Sequence, residues 1–83
     1  MYYSYVLFSK INKRLYVGST KNLKQRIEQH RKGKTWTTRR LGNFDLIFYE
    51  AFKAKADALR RERYFKTSKG KSSLKQIIRD SMI

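Results

Sequence analysis

The sequence predicts an α+β fold, a three-stranded and mainly antiparallel β-sheet flanked by helices in the order β-β-α-β-α-α. Three observations lead there. Aromatic and β-branched runs within residues 3–8, 15–18 and 44–52 have the composition of strands. Stretches between and after them repeat apolar groups at three- and four-residue spacing, as helices do. The chain has 83 residues, enough for one modest core. Three short strands cover one another poorly without helices, so this is the smallest arrangement that buries these apolar faces.

The elements follow in order. Residues 3–8 (YSYVLF) form a first strand, and Leu15 to Gly18 a second after the turn-prone Asn12 and Lys13, which makes a hairpin. Asn22 can cap the next segment with Gln25 at its third position. Leu23 and Ile27 sit four apart, so residues 23–31 read as a helix ended by Gly33. Phe44 to Phe52 is the third strand. Ala54, Ala58, Leu59 and Phe65 then keep helical spacing. Gly70 reads as a breaker, after which a Ser73/Gln76 capping box opens a last helix carrying Leu74, Ile77 and Ile78. With no proline, repeat or low-complexity stretch, residues 1–83 are expected to form a single domain.

Charge narrows the function. Lys plus Arg number 21 against 6 Asp plus Glu, a net charge of +15. Such self-repulsion is best tolerated beside a polyanion, and nucleic acid is the default partner, DNA foremost; a merely solubilising cationic surface is the plainer alternative. Residues 1–42 carry 11 basic and 1 acidic side chain, the remainder 10 and 5. The densest run is RKGKTWTTRR, in which Arg31, Lys32, Lys34, Arg39 and Arg40 surround Trp36. Cations suit phosphates and the indole suits stacking on an unpaired base, although Trp36 can equally close the core under a loop. The absence of cysteine excludes disulfides and thiolate metal sites, and one histidine cannot build a structural zinc centre. The longest apolar runs, Tyr5 to Phe8 and Leu46 to Tyr49, are far too short for a membrane span. The expected location is cytoplasmic, near the nucleoid in a bacterium.

Candidate chemical groups are few. Glu62 lies four positions after Ala58 and three before Phe65, on the apolar side of its helix. It is either an ion-pair partner at the core edge or a ligand for a hard divalent cation. Arg26 and His30 share a helical stripe and can address one ligand: the guanidinium two phosphate oxygens, the imidazole a proton. A basic helix surface touching nucleic acid without chemistry explains the same spacing. Tyr3, Tyr5 and Tyr16 cluster on the first two strands, as packing groups or, near cations, as a phenolic base.

These residues together resemble a known family. Tyr3-Ser4-Tyr5 followed by Tyr16-Val17-Gly18, with Tyr16 eleven residues after Tyr5, is similar to the paired motif of the GIY-YIG nucleases. Arg26 falls ten residues after Tyr16 and His30 four later, as in that motif, and Glu62 takes the place of the family's metal-binding glutamate. The resemblance spans practically the whole chain and is nearest to the small stand-alone URI or YhbQ-like members. The module also occurs within an excinuclease and in homing endonucleases. Two features depart from the pattern: Tyr3 and Ser4 replace glycine and isoleucine, and no asparagine follows Asn43, where many members carry one beyond the glutamate. Ser73 and Gln76 are the polar side chains available there.

The resemblance implies a GIY-YIG endonuclease that hydrolyses DNA phosphodiester bonds with one Mg²⁺ or Mn²⁺ ion, structure-directed or weakly sequence-specific, in DNA repair or recombination. A non-catalytic nucleic-acid-binding protein on the same scaffold is the alternative. Under the first reading Glu62 holds the metal and Tyr5 or Tyr16, its pKa lowered by metal and cations, accepts the proton of the attacking water. Arg26 then steadies the phosphate and His30 shuttles the proton. Gly18 lets backbone approach, and Lys21, Lys24, Arg31, Lys32, Lys34, Trp36, Arg39 and Arg40 contact nucleic acid. A monomer or weak dimer is expected, with any targeting function on a separate protein.

Overall fold

The two aromatic hairpin strands and the third strand form one sheet in the computed structural model, which describes residues 1–33 and 43–83. The elements are β1 (Tyr2–Ser9), β2 (Arg14–Thr20), α1 (Leu23–Arg31), β3 (Asp45–Phe52), α2 (Lys55–Phe65) and α3 (Ser68–Ile77), followed by a 3₁₀ turn at Arg79–Met82. Strand order is β2-β1-β3 and both pairings are antiparallel, so the predicted α+β class and element order hold. No helix among the described residues is long and apolar enough to cross a membrane.

β1 is central because both its faces are apolar enough to bury: Ser4 to Phe8 and Ser9 are all buried. Alternation along the strand divides the core. Tyr5 and Leu7 pack with Ile27 of α1, while Val6 packs with Phe65 of α2 and Leu74 and Ile78 at α3. Register extends this division to β2. Tyr5 pairs with Gly18 and Leu7 with Tyr16, which assigns Gly18 and Tyr16 to the α1 face. Val6 pairs with Val17 and Ser4 with Ser19, which assigns Val17 and Ser19 to the face of α2 and α3. β2 therefore is a sheet edge with chemistry-bearing residues on both sides.

α1 begins as its sequence predicts: Asn22 Oδ1 accepts from the Gln25 amide at 3.1 Å, and Gly33, at φ +67°, turns the chain out after the last turn. Two expectations need correction. β2 runs to Thr20, beyond Gly18, because its pairing with β1 continues to Tyr3↔Thr20. Gly70 is no breaker. α3 starts at Ser68, capped by Thr67, whose Oγ1 accepts from the Gly70 amide at 3.0 Å and donates to the Tyr64 carbonyl at 2.7 Å. A Cβ on Gly70 would run into that Tyr64 carbonyl, so glycine allows the first turn of α3 to abut the end of α2.

Candidate active site

Four of the five candidate catalytic residues meet on the α1 face. Tyr5 projects from central β1, Tyr16 from β2, and Arg26 and His30 from adjacent turns of α1. Tyr5 Oη lies 2.9 Å from His30 Nε2, and Arg26 Nε donates to the same oxygen at 3.4 Å. The Tyr16 and His30 rings meet edge-on at 5.3 Å between centroids, the Tyr5 and Tyr16 rings are tilted at 6.2 Å, and Phe44 meets His30 edge-on at 6.0 Å. Arg26 is steadied by Gln29, whose Oε1 accepts from Nη1 at 3.1 Å. Since Arg26 can only donate, Tyr5 is free to give its own proton to a neutral imidazole.

Electrostatics fit that proton arrangement. Tyr5 and His30 are each only 1 % exposed. Burial pushes the Tyr5 phenol up to about 12, against the lowering effect of Arg26. Burial, reinforced by the Arg26 charge, lowers the His30 pKa. Arg26 itself is raised, first by its hydrogen bond to Tyr5. The expected lowering of the Tyr5 pKa is thus reversed for the protein's own groups: the desolvation of a fully enclosed ring outweighs one guanidinium. Tyr16 is only half-buried and is the phenol that solvent reaches first.

Glu62 sits around the strand edge from these rings. It approaches from α2, on the opposite face of the sheet, and meets Ser19, the residue after Gly18. Ser19 Oγ donates to Glu62 Oε1 at 2.6 Å and Lys66 Nζ donates to Oε2 at 2.7 Å. Burial raises the carboxyl pKa, but the hydrogen bonds from Lys66 and Ser19, with the charges of Lys66 and Arg63, bring it below its ordinary value. Ser19 is a site residue that sequence reasoning missed, because 43 residues separate it from its partner. Lys66 is the i,i+4 partner of Glu62, whereas Arg61 pairs with Glu50 at 2.8 Å and Arg60 with Asp57 at 2.9 Å.

A hard divalent ion fits this acid only in part. Glu62 offers two oxygens beside one hydroxyl, and no group of three His, Asp or Glu side chains suited to a metal occurs among the described residues. An ion held by Glu62 would complete its shell with water and phosphate oxygens, as Mg²⁺ commonly does.

The expected nucleic-acid contacts divide. Lys21, Lys24 and Arg31 line one shallow cleft on the flank of α1, and Lys32 is exposed beside it. Lys34, Trp36, Arg39 and Arg40 lie outside the described residues. Gly18 is buried. The room left by its missing side chain is filled by the Tyr5 hydroxyl, which a Cβ would meet at 2.5 Å, and not by an approaching backbone.

An antiparallel three-stranded sheet with helices in the order β-β-α-β-α-α matches the α+β fold of a nuclease superfamily. The chain belongs to the GIY-YIG family: residues 1–76 match the GIY-YIG catalytic domain. It is 34% identical to a UPF0213 protein of Pediococcus acidilactici over 99% of this chain and 86% of that one. A UPF0213 protein of Staphylococcus haemolyticus is 36% identical, over 92% and 93% of the two chains. The solution NMR structure of the UPF0213 protein BH0048 from Bacillus halodurans matches with a TM-score of 0.57 and 33% identity, covering 93% of this chain and 85% of that one. The chain therefore falls within a nuclease superfamily, whose substrates are nucleic acids and whose members generally depend on a divalent metal.

Proposed function

We propose that the protein is an endonuclease that hydrolyses DNA phosphodiester bonds with one bound Mg²⁺ or Mn²⁺, residues 1–83 acting as a single catalytic unit. The observation that supports this reading best is the convergence of Arg26, Tyr5, Tyr16 and His30, which puts a fixed cation, a solvent-reachable phenol and a proton acceptor at one point. Arg26 steadies the phosphate as negative charge builds in the transition state. Tyr16, the half-buried ring, takes the proton of the attacking water, with Tyr5 and His30 behind it as the route onward to Nε2. A divalent ion on Glu62 would polarise the phosphate and help the leaving oxygen depart.

In this reading recognition rests on phosphate contacts and DNA shape. Weak sequence preference of this kind suits DNA repair or recombination. One site cuts one strand, so a monomer nicks and a weak dimer or two encounters sever a duplex; targeting falls to a separate protein.

The test is incubation of nicked, branched, single-stranded and duplex DNA with Mg²⁺ or Mn²⁺, with variants alongside. Arg26→Ala is expected to slow cleavage by about 10²- to 10³-fold, and Tyr16→Phe by about 10²- to 10⁴-fold. Glu62→Gln is expected to abolish metal-dependent cleavage. Cleavage that persists in Glu62→Gln rejects the metal-ligand role.

One observation favours the second reading, a non-catalytic nucleic-acid-binding protein: both Glu62 oxygens are already engaged, by Ser19 and Lys66. The engagement is light. The Glu62 and Lys66 side chains are 20% and 53% exposed, and an i,i+4 pair of this kind contributes about 0.3–0.5 kcal/mol, which a divalent cation readily displaces. Wild-type protein that binds DNA tightly and cuts none of these substrates with either metal establishes the second reading.

A further inference from the structure

Beyond the α1 face and Glu62, a second cationic feature runs along the other side of β2. A groove of about 370 Å³ is lined by Lys13, Lys66, Lys71 and Lys75, with Val17 and Leu74 among its apolar walls and no acidic residue in its lining. Lys13, Lys71 and Lys75 are exposed and take part in none of the ion pairs among the described residues. Two further facts set the groove apart from an ordinary basic surface. Tyr16, whose ring stands in the Arg26 cluster, is also among the residues that border the groove, so the groove and the candidate active site flank the same strand edge. Lys13 holds φ +55°, the left-handed region where lysine is strained and glycine or asparagine would rest easily. A charged side chain is thus kept at the end of the hairpin turn against backbone preference, and strain of this sort points to function.

We propose that this groove carries the sugar–phosphate backbone of the nucleic-acid strand that passes through the candidate active site, with Lys13, Lys71 and Lys75 as its phosphate contacts. The proposal deepens the nuclease reading and rests on it. Ammonium groups on flexible stems follow a curved polyanion without demanding a base sequence, and the apolar walls accept the faces of sugars. Lys66 joins the groove to the acid, since the same Nζ that lines it binds Glu62 Oε2 at 2.7 Å. A phosphate arriving there competes for that ammonium and frees the carboxylate.

The plainer role for these lysines is to keep the exposed edge of β2 from pairing with another strand. The two roles separate in a binding titration. Anisotropy of a labelled DNA duplex, followed from low to moderate salt, gives the slope of log affinity against log salt. Lys71→Gln/Lys75→Gln should reduce its magnitude by about two, since each phosphate that is no longer neutralised removes roughly 0.9. Lys53→Gln/Lys69→Gln removes the same charge from exposed positions outside the groove lining and should leave the slope nearly unchanged. Lys13→Gly should reduce the slope by about one while its melting temperature stays level or rises. Acetylation of the wild-type protein, read by mass spectrometry, should show Lys13, Lys71 and Lys75 shielded by DNA.

Groove and control variants with equal slopes, or equal acetylation of those lysines with and without DNA, overturn the groove while leaving a wild type that binds and cuts DNA intact. Wild-type binding that ignores salt overturns the nuclease reading and the groove together. Shielding by an acidic protein but not by DNA reassigns the surface to a protein partner and rejects the proposal.

Discussion

Gly18 shows how tightly single residues are specified around the phenols. A methyl group there would sit 2.5 Å from Tyr5 Oη and 2.6 Å from Cζ, and the Tyr5 ring cannot retreat because it is buried against His30 and Tyr16. Gly18→Ala should therefore destabilise the protein by about 1–3 kcal/mol, as overpacking does, measured as a lower urea midpoint. The buried pair also makes stability depend on pH in two windows. Tyr5 has a folded pKa of about 12, above its unfolded value near 10, so its contribution is complete below pH 10 and disappears as pH rises toward 12. The loss is of order 2–3 kcal/mol, and the difference between wild type and Tyr5→Phe across that range isolates it. His30 has a depressed folded pKa. The unfolded chain takes up a proton first, and stability falls as pH drops from about 6.5 toward the folded value. Much of this cluster was legible in advance, because the spacing of Arg26 and His30 fixes a shared helical stripe. The Glu62–Ser19 contact was not: it depends on which face of β2 each residue takes, and only the register with β1 decides that.

At the scale of elements, helix packing decides what Gly70 means. Read along the chain, a glycine between Lys69 and Lys71 ends a helix. In three dimensions it is the point where α3 comes against the last turn of α2, close enough that any Cβ strikes the Tyr64 carbonyl. Backbone cannot swing aside as a flexible side chain can. Gly70→Ala should cost about 3 kcal/mol and lower the melting temperature by roughly 10–20 °C, despite the better helix propensity of alanine. A melting temperature at or above wild type would show that the α2–α3 junction opens to admit a Cβ and overturn this role for Gly70. The other elements were legible where local chemistry sufficed. Asn22 announces α1 through a contact three residues away, and the alternation of β1 separates the α1 side of the core from the α2 and α3 side. The start of α3 is not legible in this way, because Ser73 and Gln76 offer a plausible cap of their own. Thr67 wins because it bonds the end of α2 and the start of α3 at once.

At the scale of the whole molecule, a charge of +15 on a body with a 12.2 Å radius of gyration puts folding and binding under opposite salt control. The Debye length is about 30 Å at 0.01 M salt and about 10 Å at 0.1 M. At the lower concentration nearly every Lys and Arg feels the others across the 32 Å long axis, and at the higher one mainly its neighbours. Self-repulsion opposes compactness, so added salt should raise the melting temperature of the free protein by several degrees. Salt acts on the DNA complex in the reverse sense, because each phosphate contact releases a condensed counterion whose return to solution is less favourable at high concentration. About six such contacts imply a fall in affinity of roughly a thousandfold between 50 and 200 mM. Parallel melting and binding curves over one salt series check both signs. A protein whose basic residues were only solubilising would show the rise in melting temperature without the steep fall in affinity. The two curves together therefore distinguish a charge distribution arranged for a polyanion from one that merely keeps copies of the chain apart.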